Sequence, residues 1–223
     1  MPFNLVQFVL TMAALVVGIT IHEFSHGLTA RQLGDPTAER MGRLSLNPLV
    51  HLDPLGTVMM VISALFGAGI GWGKPTPVNP WNLRPRGRVG MAIVALGGPV
   101  SNLLLAFVLT MGLRLAGTLG VVHLIPAALA TVLYMIILVN VYLAAFNLLP
   151  LPMLDGYHVL VGVVSSIRTR WASDLTGNLD RFEAQGPMLL LVLILAGNLL
   201  RFNVLGYLME PVVNLFFRLL GLS

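Results

Sequence analysis

Apolar residues along this chain come in long blocks, with neither the alternation of a half-buried strand nor the narrow stripe of a surface helix. Residues 5–30, 89–113 and 124–149 each supply about the 20-residue apolar length needed to cross hydrocarbon as a helix. Residues 55–72 form a shorter run that ends in the glycine-rich stretch 67–73. Residues 187–220 read as one or two further segments, with Arg201 and Asn203 marking a break. The pattern predicts an all-α polytopic membrane protein of about five to six apolar segments. Short extended strands are expected in the 40–50 and 73–80 loops. The polar stretches 31–54, 73–88 and 150–186 are too small to fold separately. One domain, 1–223, is therefore expected, with a core at about 4–160 and C-terminal helices at about 187–220. No basic region precedes the first apolar run, so a cleaved secretory leader is not expected.

Composition sharpens the class. Hydrophobic residues make up 57% of the 223 residues and charged ones only 10%, against about 25% charged in an ordinary soluble domain. Mean hydropathy is +0.87. Disorder, a disulfide scaffold and nucleic-acid binding are excluded by the apolar content, the absence of cysteine and the lack of a clustered basic patch. Without cysteine, any metal must rest on His, Asp or Glu.

Basic residues constrain topology. Arg31, Arg40 and Arg43 precede the 55–72 run, and Lys74, Arg84, Arg86 and Arg88 follow it. Two basic loops flanking one complete crossing conflict with the positive-inside rule. The conflict disappears if 55–72 dips in and returns, or lies against the bundle. The N-terminus is then outside, 114–123 is outside, and 150–186, carrying Arg168, Arg170 and Arg181, is cytoplasmic.

His22-Glu23-Phe24-Ser25-His26 is an H-E-x-x-H pattern inside an apolar helix. Positions i and i+4 stack on one helix face, so both imidazoles can meet one zinc, and Glu23 can serve a metal-bound water as general base. Chance produces so short a pattern easily in a soluble protein. Within a membrane helix each ionisable group costs about 2.5–3.5 kcal/mol on insertion scales, and three stand within five residues. Asp155 stands out among the remaining acids. It follows Asn147-Leu-Leu-Pro150-Leu-Pro152-Met-Leu and precedes Gly156. It is read either as a cap at a proline-rich helix exit or as a third ligand. Asn102, Asn140 and Asn147 lie on or beside the core helices, as interhelical hydrogen-bonding groups or as substrate and oxyanion contacts. His158 is a reserve ligand, His51 and Asp53 a loop pair, and His123 an interfacial residue.

The two motifs together resemble the site-2 protease family of intramembrane zinc metalloproteases. Gly97-Gly98-Pro99-x-x-Asn102 is similar to that family's central-helix motif. Residues 34–38, 42–49, 51–56 and 73–80 also match, so the likeness covers about 18–160 and points to the compact bacterial branch without PDZ or CBS modules. The resemblance implies one zinc per chain on His22, His26 and Asp155, with Glu23 as catalytic base. It also implies single-span membrane proteins or signal-peptide remnants as substrates, and an inner-membrane enzyme with its site near the cytoplasmic face. Parity agrees with the charge pattern: for the H-E-x-x-H helix and Asp155 to meet, either one of the three intervening apolar runs does not cross completely or 73–88 re-enters the membrane. A non-proteolytic metal-binding or transport protein is the alternative, disfavoured by the lack of internal repeats. The 74–80 or 44–46 stretch is expected to pair with an unwound substrate strand.

Overall fold

A computed structural model describes residues 4–66, 73–200 and 203–222. Among them the chain is helical: α1 (Leu5–Gln32), α2 (Thr37–Arg40), α3 (Pro54–Phe66), α4 (Arg88–Thr118), α5 (Ala127–Asn147), α6 (Asp155–Ser166), α7 (Arg170–Glu183), α8 (Gly186–Leu200) and α9 (Val204–Leu220). Three of these, α1, α4 and α5, are long and apolar enough to cross a membrane, and α8 contributes a shorter apolar stretch at Gly186–Gly197. The long helices follow the apolar blocks, because each backbone polar group in lipid must be satisfied within its own segment.

Helices α1 and α4 run antiparallel. His26 meets Val94 while His22 and Gly18 meet Asn102 farther along. Glycines allow the close approach. A Cβ at Gly97 would stand 2.6 Å from Thr29 Oγ1, and one at Gly18 would stand 2.6 Å from Leu143 Cδ1 on α5. Asn102 on α4 also donates to Asn140 on α5 at 2.6 Å, which fixes the register of the third long helix. Ala106, Ile137, Val141, Ala144, Val213 and Phe216 form an apolar core between α4, α5 and α9.

The segment linking α1 to α4 leaves and returns at one end of the bundle. Arg84 N–H donates to Leu33 O at 2.8 Å, and Leu52 bridges Gly73. The excursion through α3 therefore makes no net crossing. This agrees with an incompletely spanning 55–72 run; the glycine-rich part at 67–72 lies outside the described residues.

The strands expected at 40–50 and 73–80 form no ladder among the described residues. Apart from the single Leu52–Gly73 bridge, 74–79 forms no strand pairing, and 48–50 is a 3-10 turn capped by Asn47. Pro75, Pro77 and Pro80 lack the N–H that pairing requires. Lys74 and Thr76 spend theirs on His51 O and Glu23.

Asp35 ties this layer together. It is fully buried and accepts from Thr37 N (3.2 Å), Thr37 Oγ1 (2.5 Å), Asn79 N (2.6 Å) and Asn82 Nδ2 (2.9 Å). Burial pushes its pKa upward, but the donors outweigh burial and the net shift is downward. Its contribution is thus present above the ordinary carboxylate pKa of about 4 and is lost as pH falls through the lower folded value. Asp35→Ala will destabilise the 33–37/79–82 junction by about 2–3 kcal/mol at neutral pH. The gap to wild type will narrow in strong acid. Hydrogen exchange at these amides, unchanged between the two proteins at pH 7, would disprove the assignment.

Candidate metal centre

His22 and His26 sit one turn apart on α1, both buried, their rings edge-to-face with centroids 4.6 Å apart. Each Nδ1 is occupied. That of His26 lies 2.8 Å from the Val94 carbonyl, which can only accept, so His26 carries its proton on Nδ1. That of His22 lies 2.6 Å from Asn102 Oδ1. The amide nitrogen of Asn102 already donates to Gly18 O (3.0 Å) and Asn140 Oδ1 (2.6 Å), so Oδ1 must be the group facing the imidazole. His22 is thereby held in the same tautomer. Both Nε2 lone pairs point into one space.

Asp155 enters that space from the first residue of α6. Asn147 ends α5, and the following Pro150-Leu-Pro152 cannot continue the helix. Met153 takes a left-handed φ of 79°, and Gly156 is packed so closely on the Leu148 and Leu149 carbonyls that no Cβ fits. The strained turn brings Asp155 Oδ2 to 3.0 Å from His22 Nε2 and Oδ1 to 3.4 Å from His26 Nε2. Helix α6 also presents its positive end to this carboxylate.

Donor chemistry tests whether a metal belongs here. Two neutral imidazoles turning Nε2 lone pairs toward a carboxylate at such distances are relieved by a cation between them, either a proton on Nε2 or a metal ion held by all three. Asp155 Oδ2 is buried with no hydrogen-bond donor among the described residues. His22, His26 and Asp155 offer ligand atoms within 4.8 Å of one another. Tetrahedral zinc with bonds of about 2.0–2.1 Å places its ligands about 3.3–3.4 Å apart. Above the rings lies backbone: a Cβ on Gly98 would stand 2.5 Å from His22 Cε1 and 2.6 Å from each Nε2. The residues fit zinc.

Glu23, next to His22 on α1, is engaged by the extended 74–79 segment. Its Oε2 accepts from Thr76 N and Thr76 Oγ1, each at 2.8 Å. Among the residues expected from sequence, His22, Glu23, His26 and Asp155 come together, and Asn102 with Asn140 forms a buried chain behind His22. Asn147 does not join them through any hydrogen bond: its amide donates to Leu143 O on its own helix at 2.9 Å. His158 lies 3.9 Å from Glu183, away from the cluster. His51 and Asp53 do not pair; His51 Nε2 meets Ser45 O at 2.6 Å, and Asp53 caps α3 through Gly56 N. Sequence reasoning does not single out Thr76 or Asp35. A buried carboxylate on an apolar helix needs donors, and a lone Thr among prolines is the only signal of where they come from.

The bundle and its His-His-Asp cluster define a polytopic membrane protein with a metal-type centre built between helices. Comparison with known proteins places it. Residues 114–194, which include Asp155, match peptidase family M50. The chain is 40% identical over 167 residues to the "Putative zinc metalloprotease YwhC" of Bacillus subtilis, covering 73% of this chain and 72% of that protein. It is 35% identical over 156 residues to the "Putative zinc metalloprotease Rip2" of Mycobacterium tuberculosis, covering 69% of this chain and 56% of that protein. No solved structure matches. The chain belongs to peptidase family M50, the metallopeptidases of the site-2 protease type.

Removing the bond behind His22 tests the tautomer reading. Asn102→Leu will weaken zinc binding about 10–100-fold, as loss of a group orienting a metal-bound histidine does. Unaltered zinc affinity, measured by competition with a chromophoric chelator, would refute it.

Proposed function

We propose that this protein hydrolyses peptide bonds within or near the spanning segments of membrane-protein substrates. His22, His26 and Asp155 hold one zinc and Glu23 is the catalytic base. The reading rests on one observation: two imidazole lone pairs and a carboxylate aimed at one point inside the helix bundle, with a second carboxylate on the adjacent residue. Zinc, when bound, acts as a Lewis acid toward a carbonyl oxygen and makes water acidic enough to attack near neutral pH.

The chain's own groups supply the rest. Glu23 takes a proton from the attacking water and returns it to the leaving amide nitrogen, so that each turnover restores the carboxylate. Thr76 fixes Oε2 through two donors, which leaves Oε1 to carry the proton. Val94 and Asn102 keep both imidazoles in the tautomer that exposes Nε2. Apolar walls restrict water at the scissile bond to what arrives from the end of the bundle where the basic loops lie.

The site accordingly works near the cytoplasmic side of a bacterial inner membrane, with the N-terminus outside. Single-span proteins or signal-peptide remnants are the substrates that the resemblance to the site-2 protease family implies. Asn147, Asn102 and Asn140 are the candidates for substrate or oxyanion contact. Asn102 and Asn140 are consumed by the chain behind His22, which leaves Asn147 for that role. Co-expression with a tagged single-span reporter provides the test. Cleavage will depend on zinc, disappear on chelation and return on re-addition. A reporter cut equally well after metal removal would rule out this mechanism.

A further inference from the structure

Three of the seven residues in 74–80 are prolines. Each fixes its own φ and confines the residue before it, here Lys74, Thr76 and Asn79, to extended backbone. The segment is therefore a stiff arm, and both of its ends are anchored outside α1. Lys74 N–H donates to His51 O at 2.8 Å, and Asn79 N–H donates to the buried Asp35 at 2.6 Å. Between these anchors the arm meets α1 at Thr76. The Thr76 methyl lies 3.6 Å from where a Gly27 Cβ would stand, beside Ala38 and Leu44, so it is seated over the notch that the glycine leaves. The polar half of the same residue reaches Glu23. Thr76 Oγ1 is 2.8 Å from Oε2 and 2.9 Å from the Glu23 carbonyl, and Thr76 N is 2.8 Å from Oε2. A hydroxyl has one proton to give, and a carboxylate oxygen is a stronger acceptor than a carbonyl within a helix.

Helix α1 fixes where the Glu23 side chain starts. Nothing on α1 fixes where it ends, because three rotatable bonds separate the carboxylate from the backbone. Among the described residues that carboxylate makes no ion pair, and its hydrogen bonds are those to Thr76. Such a contact can either aim a base or occupy it. A lock would have to satisfy both oxygens. Here both donors fall on Oε2, and Oε1 has none among the described residues. The nearest part of the arm to Oε1 on record is a glycine: a Cβ at Gly73 would stand 3.9 Å from it. One oxygen is held and the other is left uncovered, which is the arrangement of an aimed base.

We propose that Thr76 is a positioning residue for the reaction: its hydroxyl sets the direction of the Glu23 carboxylate, so that the 74–79 arm, and not α1, aims the base. The inference rests on the reading of Glu23 as the base.

Two substitutions separate the halves of the side chain. Thr76→Val keeps the seated methyl and loses the hydroxyl, whereas Thr76→Ser keeps the hydroxyl. On the single-span reporter, Thr76→Val will lower kcat about 10- to 100-fold, the usual effect of misplacing a reacting group by about 1 Å. KM and zinc affinity will stay within about twofold, since no substrate or metal contact is removed. Thr76→Ser will cleave within about threefold of wild type. In a Glu23→Gln background Thr76→Val will cause no further loss, because it acts through the carboxylate. A readout free of metal and substrate is amide exchange at Thr76, whose N–H has Glu23 as acceptor: it will accelerate at least about tenfold in Glu23→Ala. Wild-type cleavage by Thr76→Val overturns the proposal, and faster cleavage overturns it by showing the contact to be a lock. So does a loss that persists in full on Glu23→Gln, or a Thr76 amide that exchanges no faster in Glu23→Ala. Should Thr76→Val fail to fold, Thr76→Ser against Thr76→Ala makes the comparison without the methyl: a loss confined to Thr76→Ala supports the proposal and equal rates overturn it. Failure of the underlying reading looks different. A reporter left intact by wild type, or cut as fast by Glu23→Gln, removes the base itself and this inference with it.

Discussion

Glu23→Gln will yield a folded, zinc-loaded protein whose cleavage of a membrane reporter falls about 100- to 10,000-fold, the usual worth of general acid–base catalysis. The substitution keeps the shape of the side chain and the acceptor oxygen that Thr76 holds, so the 74–79 segment stays in position. It removes the proton acceptor. Metal content must be measured alongside, because only wild-type zinc stoichiometry separates loss of the base from loss of the ion. A variant that binds zinc normally and still cleaves within a few-fold of wild type would remove Glu23 from the chemistry. His26→Ala is the contrasting control, in which zinc and cleavage fall together.

A single methyl group placed above the imidazoles will have an effect of comparable size. In Gly98→Ala the new Cβ would lie 2.5–2.6 Å from atoms of both His22 and His26, well inside contact distance. Neither ring can yield cheaply, since Asn102 and Val94 hold their Nδ1 atoms. Relief must come from separating α1 and α4, which breaks the buried Asn102–Gly18 bond as well. Overpacking of this kind costs about 1–3 kcal/mol or more, and here the strain falls on the ligands themselves. Zinc affinity should drop at least about tenfold, with cleavage falling further. Thermal melting separates site distortion from general unfolding: a folded protein with a modestly lowered melting midpoint and weakened zinc binding is the expected pattern. Full zinc affinity in the alanine variant would mean the helices do not approach this closely.

The parts legible in the sequence are those carried by periodicity and spacing. His22 and His26 have to share a face once residues 5–30 are helical, and the flanking arginines already argue that 55–72 does not cross. Asp155 is singled out by the prolines before it and by likeness to a known family. What escapes depends on packing between distant segments. Asn102 is one of three polar residues on core helices, and nothing local says that it grips His22 rather than a substrate. Asp35 reads as an ordinary loop acid because its donors come from residue 37 and from 79–82, a separation no local pattern spans. Thr76 stands in a proline-rich stretch that invites a reading as a pairing edge. With its N–H given to Glu23 and three prolines around it, that stretch has few donors to offer a substrate. Its partner in the structure is the candidate base.

The turn that delivers Asp155 has a consequence for biogenesis. The two imidazoles of the proposed metal centre emerge from the ribosome early, while the carboxylate proposed to complete the set is made only after α4 and α5. A nascent chain halted before residue 155 therefore has no finished centre and should acquire no stable zinc. The enzyme stays inert until most of its bundle has been inserted, which spares the membrane a half-built protease during synthesis.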